Sequence, residues 1–72
     1  MSKKIKTRKV IFALKRLGFV EIRQNGSHII FENKNGVLTI IPNHYEIGVG
    51  LLLKIIKKDL KITKKEFFDL LD

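Results

Sequence analysis

Two side chains in this 72-residue sequence can move a proton near neutral pH, His28 and His44. A neutral imidazole accepts a proton and an imidazolium returns it, and an ordinary pKa of about 6.5 suits both roles. His28 follows the run Gln24-Asn25-Gly26-Ser27, with Arg23 just before it. An arginine fork can hold a phosphate through two parallel hydrogen bonds. An imidazole beside a phosphate clamp is sufficient equipment for cutting RNA. A base takes the 2′-hydroxyl proton, that oxygen attacks its own phosphorus, and cations stabilise the charge that develops. The nucleophile belongs to the substrate, so the protein need not supply one. The competing reading is an ordinary surface or packing histidine, and it stays open for His28 and more so for His44. Ser27 reads as a turn residue whose hydroxyl could assist.

Other chemistries find little support. With no cysteine, disulfides, thiolate zinc sites and a cysteine nucleophile are excluded. His28, His44 and Glu46 fit no zinc spacing, and neither a metal nor a cofactor is expected. Gly48-Val49-Gly50 lacks the strand–turn–helix setting and the third glycine of a nucleotide fingerprint. There are no paired catalytic carboxylates and no Ser-His-Asp arrangement.

The elements that must position His28 follow from pattern. Thr7 can cap a helix over about Arg8 to Leu17, with Val10, Ala13, Leu14 and Leu17 on its apolar face and Gly18 at its exit. Phe19 to Gln24 alternates as a strand. Asn25-Gly26 signals a two-residue type I′ hairpin turn. Ser27 to Glu32 is the second strand, Asn33 to Gly36 a turn, and Val37 to Ile41 the third strand, ended by Pro42. These turn lengths set Arg23 across from His28 and His28 across from Ile41. They place Val20, Ile22, Ile29, Phe31, Leu38 and Ile40 on one apolar core face. Glu21, Arg23, His28, Ile30, Thr39 and Ile41 fall on the other. Asn43 to Gly48 reads as a loop and Val49 to about Lys58 as a helix with Val49, Leu52, Leu53 and Ile56 inward. Thr63 and Glu66 form a capping box, and Ile62 with Phe67 a hydrophobic staple, so a last helix should run from Lys64 to about Leu71. The order is α-β-β-β-α-α. It implies an α+β fold, a three-stranded antiparallel sheet covered by helices on one face, with His28 on the open face.

Composition bounds the class. The apolar share of 44% suffices for a core and is too high for a disordered chain. The expectation is one small domain over residues 1–72, with residues 1–6 as a flexible basic arm. No apolar run reaches a membrane span, and no apolar signal core follows the basic start, so the cytoplasm is the expected location. Fifteen Lys and Arg against seven Asp and Glu give a net charge of +8. Residues 1–18 carry seven cations and no acid, so the excess is a patch rather than an even coat. Such a patch attracts polyanions, nucleic acid foremost. Arg8, Lys9, Lys15 and Arg16 of the first helix are candidate phosphate contacts. Phe12 sits among them, opposite the apolar stripe. It could stack on a base, anchor an acidic partner protein, or fold back onto the N-terminal segment. Phe67, Phe68, Leu70 and Leu71 exceed what one short helix needs, and weak self-association through it is open.

At this point the residues carry a resemblance. Gln24-Asn25-Gly26-Ser27-His28 followed by Ile29-Ile30-Phe31 resembles the central motif of the HicA family of mRNA interferase toxins. Leu14-Lys15-Arg16-Leu17-Gly18-Phe19, Pro42-Asn43-His44, Gly50 with Leu52 and Ile55, and Ile62-Thr63-Lys64-Lys65-Glu66-Phe67 resemble further stretches, in order. The resemblance implies a double-stranded-RNA-binding-like fold and metal-independent mRNA cleavage dependent on His28. It also implies a HicB-type antitoxin that covers the active face. One departure is Leu51, where the family commonly has threonine. Without that hydroxyl, Gly48 or Gly50 must start the second helix. The residues also permit a non-catalytic RNA-binding module on the same surface, or an interaction protein that docks an acidic partner.

Overall fold

A computed structural model describes residues 3–71. Strand β1 (Lys4–Lys6) leads into helix α1 (Thr7–Arg16). Strands β2 (Val20–Asn25), β3 (His28–Glu32) and β4 (Leu38–Pro42) form an antiparallel sheet in the order β2-β3-β4. Strand β5 (Glu46–Gly48) follows, then helix α2 (Val49–Lys54), which continues as a π-helical segment over Ile55–Leu60, and finally helix α3 (Lys64–Phe68). This is the α+β architecture of the double-stranded-RNA-binding-like fold.

Helix α1 buries Val10, Ala13 and Leu14 and leaves Arg8, Lys9, Lys15 and Arg16 in water. Its end is a Schellman turn. Gly18 (φ 95°) donates to the Lys15 carbonyl and Phe19 to the Leu14 carbonyl, both at 3.0 Å. Such a motif usually brings these two positions into apolar contact, and Leu14 and Phe19 are both in the core. The helix start differs from expectation. Lys6, not Thr7, is the N-cap, and the Thr7 hydroxyl is buried without a partner. The Thr7 amide instead donates to the Tyr45 carbonyl at 3.0 Å. A tertiary bond thus satisfies a first-turn donor that a side-chain cap otherwise serves.

The β2–β3 turn sits one residue further along than expected, which moves each pairing as far as the bulge by two residues and leaves Arg23 and His28 on one face. The two loop residues are Gly26 and Ser27, because Asn25 pairs with His28. Gly26 alone has positive φ (63°), the pattern of a type II′ turn rather than type I′. Gln24 therefore pairs with Ile29 and Arg23 with Ile30, and a bulge at Ile22 then shifts Glu21 onto Phe31. On the other side, Asn33 bonds the amides of Asn35 and Val37 through its side chain, and the connection runs one residue longer than expected. Glu32 pairs with Leu38, Ile29 with Ile41 and His28 with Pro42.

Strand β4 is thus slipped by one residue against β3, and because side chains alternate along a strand that slip exchanges the faces of β4, as the bulge does for Val20. The buried face holds Ile29, Phe31, Thr39 and Ile41. Val20, Ile22, Leu38 and Ile40, expected inside, are exposed. Thr39, 1% exposed, enters the core because its hydroxyl donates to Asp59 of the π-helical segment at 2.9 Å. Strand β2 is exposed along its whole length.

Residues 4–6, expected within a flexible arm, are paired as β1 with β5, where a loop was expected. Gly48 is the N-cap of α2, in extended conformation (φ −69°, ψ 141°). Leu52, Ile55 and Ile56 fill the core, and Lys61 ends the π-helical segment in the left-handed region (φ 55°). The capping box of α3 is present in both directions, Thr63 Oγ1 accepting from Glu66 N and Glu66 accepting from Thr63 N. The helix stops at Phe68, short of the expected Leu71, and only turn-type bonds continue to Leu71.

Candidate active site

His28 opens β3 immediately after the Gly26-Ser27 turn and is exposed. It shares the open face of the sheet with Ile30 and Glu32 and with their opposite numbers Asn25, Arg23 and Val20 on β2. Arg23 is not across from His28; Asn25 is. Arg23 is the diagonal neighbour on the same face, with a backbone separation of roughly 7–8 Å. That lies within reach of a long guanidinium side chain and leaves room between the two for a phosphate.

His44 comes to the same end of the sheet by a different route. Pro42, the last residue of β4, lies across from His28. The next amide, Asn43, donates to the Ser27 carbonyl at 2.6 Å. This bond ties the turn before His28 to the loop that carries His44. Ser27 contributes its backbone here, in keeping with a turn role.

Beyond the loop lies the start of α1. A shallow hollow of about 230 Å³ is lined by Thr7, Arg8, Ile11, Asn43, His44 and Tyr45. A second hollow, lined by Lys4, Ile5, Lys6, Arg8, Lys9 and Glu46, adjoins it through Arg8. The only ion pair among the described residues is Lys65–Asp69, so Arg8, Lys9 and Arg23 make no ion pair with a carboxylate. Of the expected phosphate contacts, Arg8 lines the hollow that holds His44, and Lys9 the one beside it. Lys15 and Arg16 stand apart. Arg16 lies eight residues beyond Arg8, which is about 12 Å along the helix axis.

Phe12 is half exposed and borders a hollow with Arg8, Lys9 and Leu71, and the Arg16 guanidinium lies 5.7 Å from its ring centre. Its neighbours are thus α1 itself and the C-terminal Leu71. Among the described residues no group of three or more His, Asp or Glu side chains is placed to hold a metal, and no helix is long and apolar enough to cross a membrane.

The sequence that builds this basic first helix, antiparallel sheet and Gly-Ser-His turn has a match among known families. The family model described as the HicA toxin of bacterial toxin–antitoxin systems matches residues 7–62. The chain belongs to the HicA toxin family. HicA toxins pair with HicB antitoxins. Comparison with curated proteins gives no match. The HicA match begins at Thr7, the first residue of α1, and ends at Ile62, just before α3. It takes in both histidines, Arg23 and the whole three-stranded sheet.

Sequence reasoning missed Tyr45. It is the single tyrosine of the chain and stands next to His44 with 71% of its surface exposed. The signal was available, since a large aromatic in a polar loop beside a cationic segment is a recognisable stacking element.

Proposed function

We propose that this HicA-family chain is the toxin of a toxin–antitoxin pair and an endoribonuclease that cleaves mRNA without a metal, with His28 as its acid–base residue. The observation that carries the reading is the junction at one end of the sheet. The Asn43–Ser27 bond joins the His28 turn to the His44 loop, and Arg23 lies on the face of His28. His28 exchanges a proton with the 2′-hydroxyl or the leaving oxygen, and Arg23 holds the phosphate and stabilises its developing charge. His44 is the candidate partner that supplies or removes the second proton. Arg8 and Lys9 hold phosphates further along the strand. The HicB-type antitoxin blocks the toxin by covering the open face. The exposed Val20, Leu38 and Ile40 there give it apolar surface to bury.

The test compares the chain with His28→Ala on a long RNA lacking stable structure, in EDTA, on a denaturing gel. Loss of a positioned acid or base slows such reactions about 10²–10⁴-fold, so the variant should bind RNA and scarcely cut it. If neither protein cuts and both bind alike, the chain is a non-catalytic RNA-binding module.

A further inference from the structure

The exposed ring of Tyr45 takes no part in the chemistry above. A tyrosine that is 71% exposed contributes little to the core and keeps apolar area in water. Yet its backbone is tied to the β1–β5 ribbon. Its carbonyl accepts the Thr7 amide at 3.0 Å, and the next residue, Glu46, pairs with Lys6 in the β1–β5 ribbon. The ring is therefore presented from a fixed backbone rather than from a loose loop.

Its surroundings are cationic. The Lys6 ammonium lies 5.4 Å from the ring centre. Arg8, Asn43 and His44 line the hollow that Tyr45 borders, and Lys4 and Lys9 line the next one. The carboxylate in that neighbourhood is Glu46. An aromatic face set among cations matches the repeating unit of a nucleic acid strand, one flat base for each phosphate. An acidic peptide would satisfy the cations but would give the ring no flat partner. The position is also continuous with the reactive end of the sheet, through His44, Asn43 and the bond to Ser27.

We propose that Tyr45 is a stacking platform for an unpaired base of the RNA strand next to the bond that is cut, with Lys6 and Arg8 on the adjoining phosphates. This rests on the RNA-cleaving reading of the same site and adds to it a base subsite. It makes single-stranded RNA the substrate form, since a base paired in a duplex cannot offer its face to the ring.

The chain has one tyrosine and no tryptophan, so its intrinsic emission reports on Tyr45 alone. A short single-stranded RNA titrated into the His28→Ala chain should quench that emission. An oligonucleotide of the same length with abasic sites should bind without quenching. Tyr45→Ala should weaken RNA binding roughly five- to hundredfold, the range for loss of one stacked base. Tyr45→Phe should retain the affinity. In the chain with His28 intact, Tyr45→Ala should raise KM with little change in kcat, the mark of lost uniform binding. RNA binding without quenching, and unchanged in Tyr45→Ala, overturns the stacking proposal while the RNA-cleaving reading stands. If Tyr45→Ala leaves RNA affinity intact but weakens the hold on a HicB-type antitoxin, the ring is a protein contact and the proposal fails. Absence of any RNA binding overturns both readings.

Discussion

Ile40 and Ile41 are adjacent in β4, yet they have opposite fates, and that contrast tests the register directly. Ile41 is 0% exposed between the sheet and the helices, while Ile40 is 50% exposed on the open face. Truncating a fully buried isoleucine removes its transfer free energy and leaves a cavity, at a cost of about 2–5 kcal/mol. Ile40 has given up only half its surface to burial, and solvent fills the space it leaves. Full burial of such a side chain is worth about 1.5–3 kcal/mol, so Ile40→Ala should cost about 1 kcal/mol. The whole domain has roughly 4–11 kcal/mol of stability at the usual value per residue. Ile41→Ala should therefore remove a large share of it and Ile40→Ala little. Urea unfolding followed by far-ultraviolet circular dichroism measures both, on the His28→Ala chain so that toxicity does not limit expression. The midpoint for Ile41→Ala should fall well below that for Ile40→Ala, with similar slopes. If Ile40→Ala proves the more costly, β4 is seated one residue over, and Thr39 and Ile41 rather than Leu38 and Ile40 share the open face with His28.

Two other expectations concern the polar groups that fix the framework. Asp59→Ala strips the buried Thr39 hydroxyl of its acceptor and should cost about 1–3 kcal/mol. Thr39→Val combined with Asp59→Ala should cost less than the sum of the two, and strict additivity in a double-mutant cycle would contradict the bond. The Thr63 backbone amide, and then the Thr63 side chain, hold the Glu66 carboxyl below its ordinary range. A lowered carboxylate pKa stabilises the fold above the unfolded value and ceases to do so as the pH falls through the folded one. The cap of α3 should therefore weaken as solutions are acidified below the normal glutamate range. Glu66→Gln should flatten that part of the stability–pH profile, and an unchanged profile would show that Glu66 is not the group responsible.

What could be read from the chain was what neighbours in sequence decide. The stripe of α1, its Gly18 exit and the Thr63–Glu66 cap each depend on residues within a turn or two, and each is where the pattern put it. The existence of three strands was equally plain. Their register was not, because Asn25-Gly26-Ser27 can close a hairpin in two ways. Strand β4 also offers an apolar residue to either face, Ile40 or Ile41. The correct choice places Thr39 in the core, which makes sense only with Asp59 twenty residues away. Strands β1 and β5 are three residues each, too short to show a period. His28 was legible as the candidate acid–base residue. Its neighbour Arg23 was put on the right face, although in the wrong pair. A one-residue slip moves a strand by about 3.3 Å, so the meeting of the two histidine-bearing segments at one end of the sheet survives it.

The β1–β5 ribbon has a consequence for how the molecule comes together. The hairpins of the main sheet close loops of two and five residues, whereas joining Lys6 to Glu46 closes about 40. Loop entropy makes that closure about 2 kcal/mol more expensive than the longer hairpin. The segment it anchors carries His44 and Tyr45, and it is the part of the fold whose position depends on the most distant pairing. The sheet that bears His28 can be complete before that pairing exists. The chemistry assigned to the pair of histidines then belongs only to chains whose beginning has already found their middle.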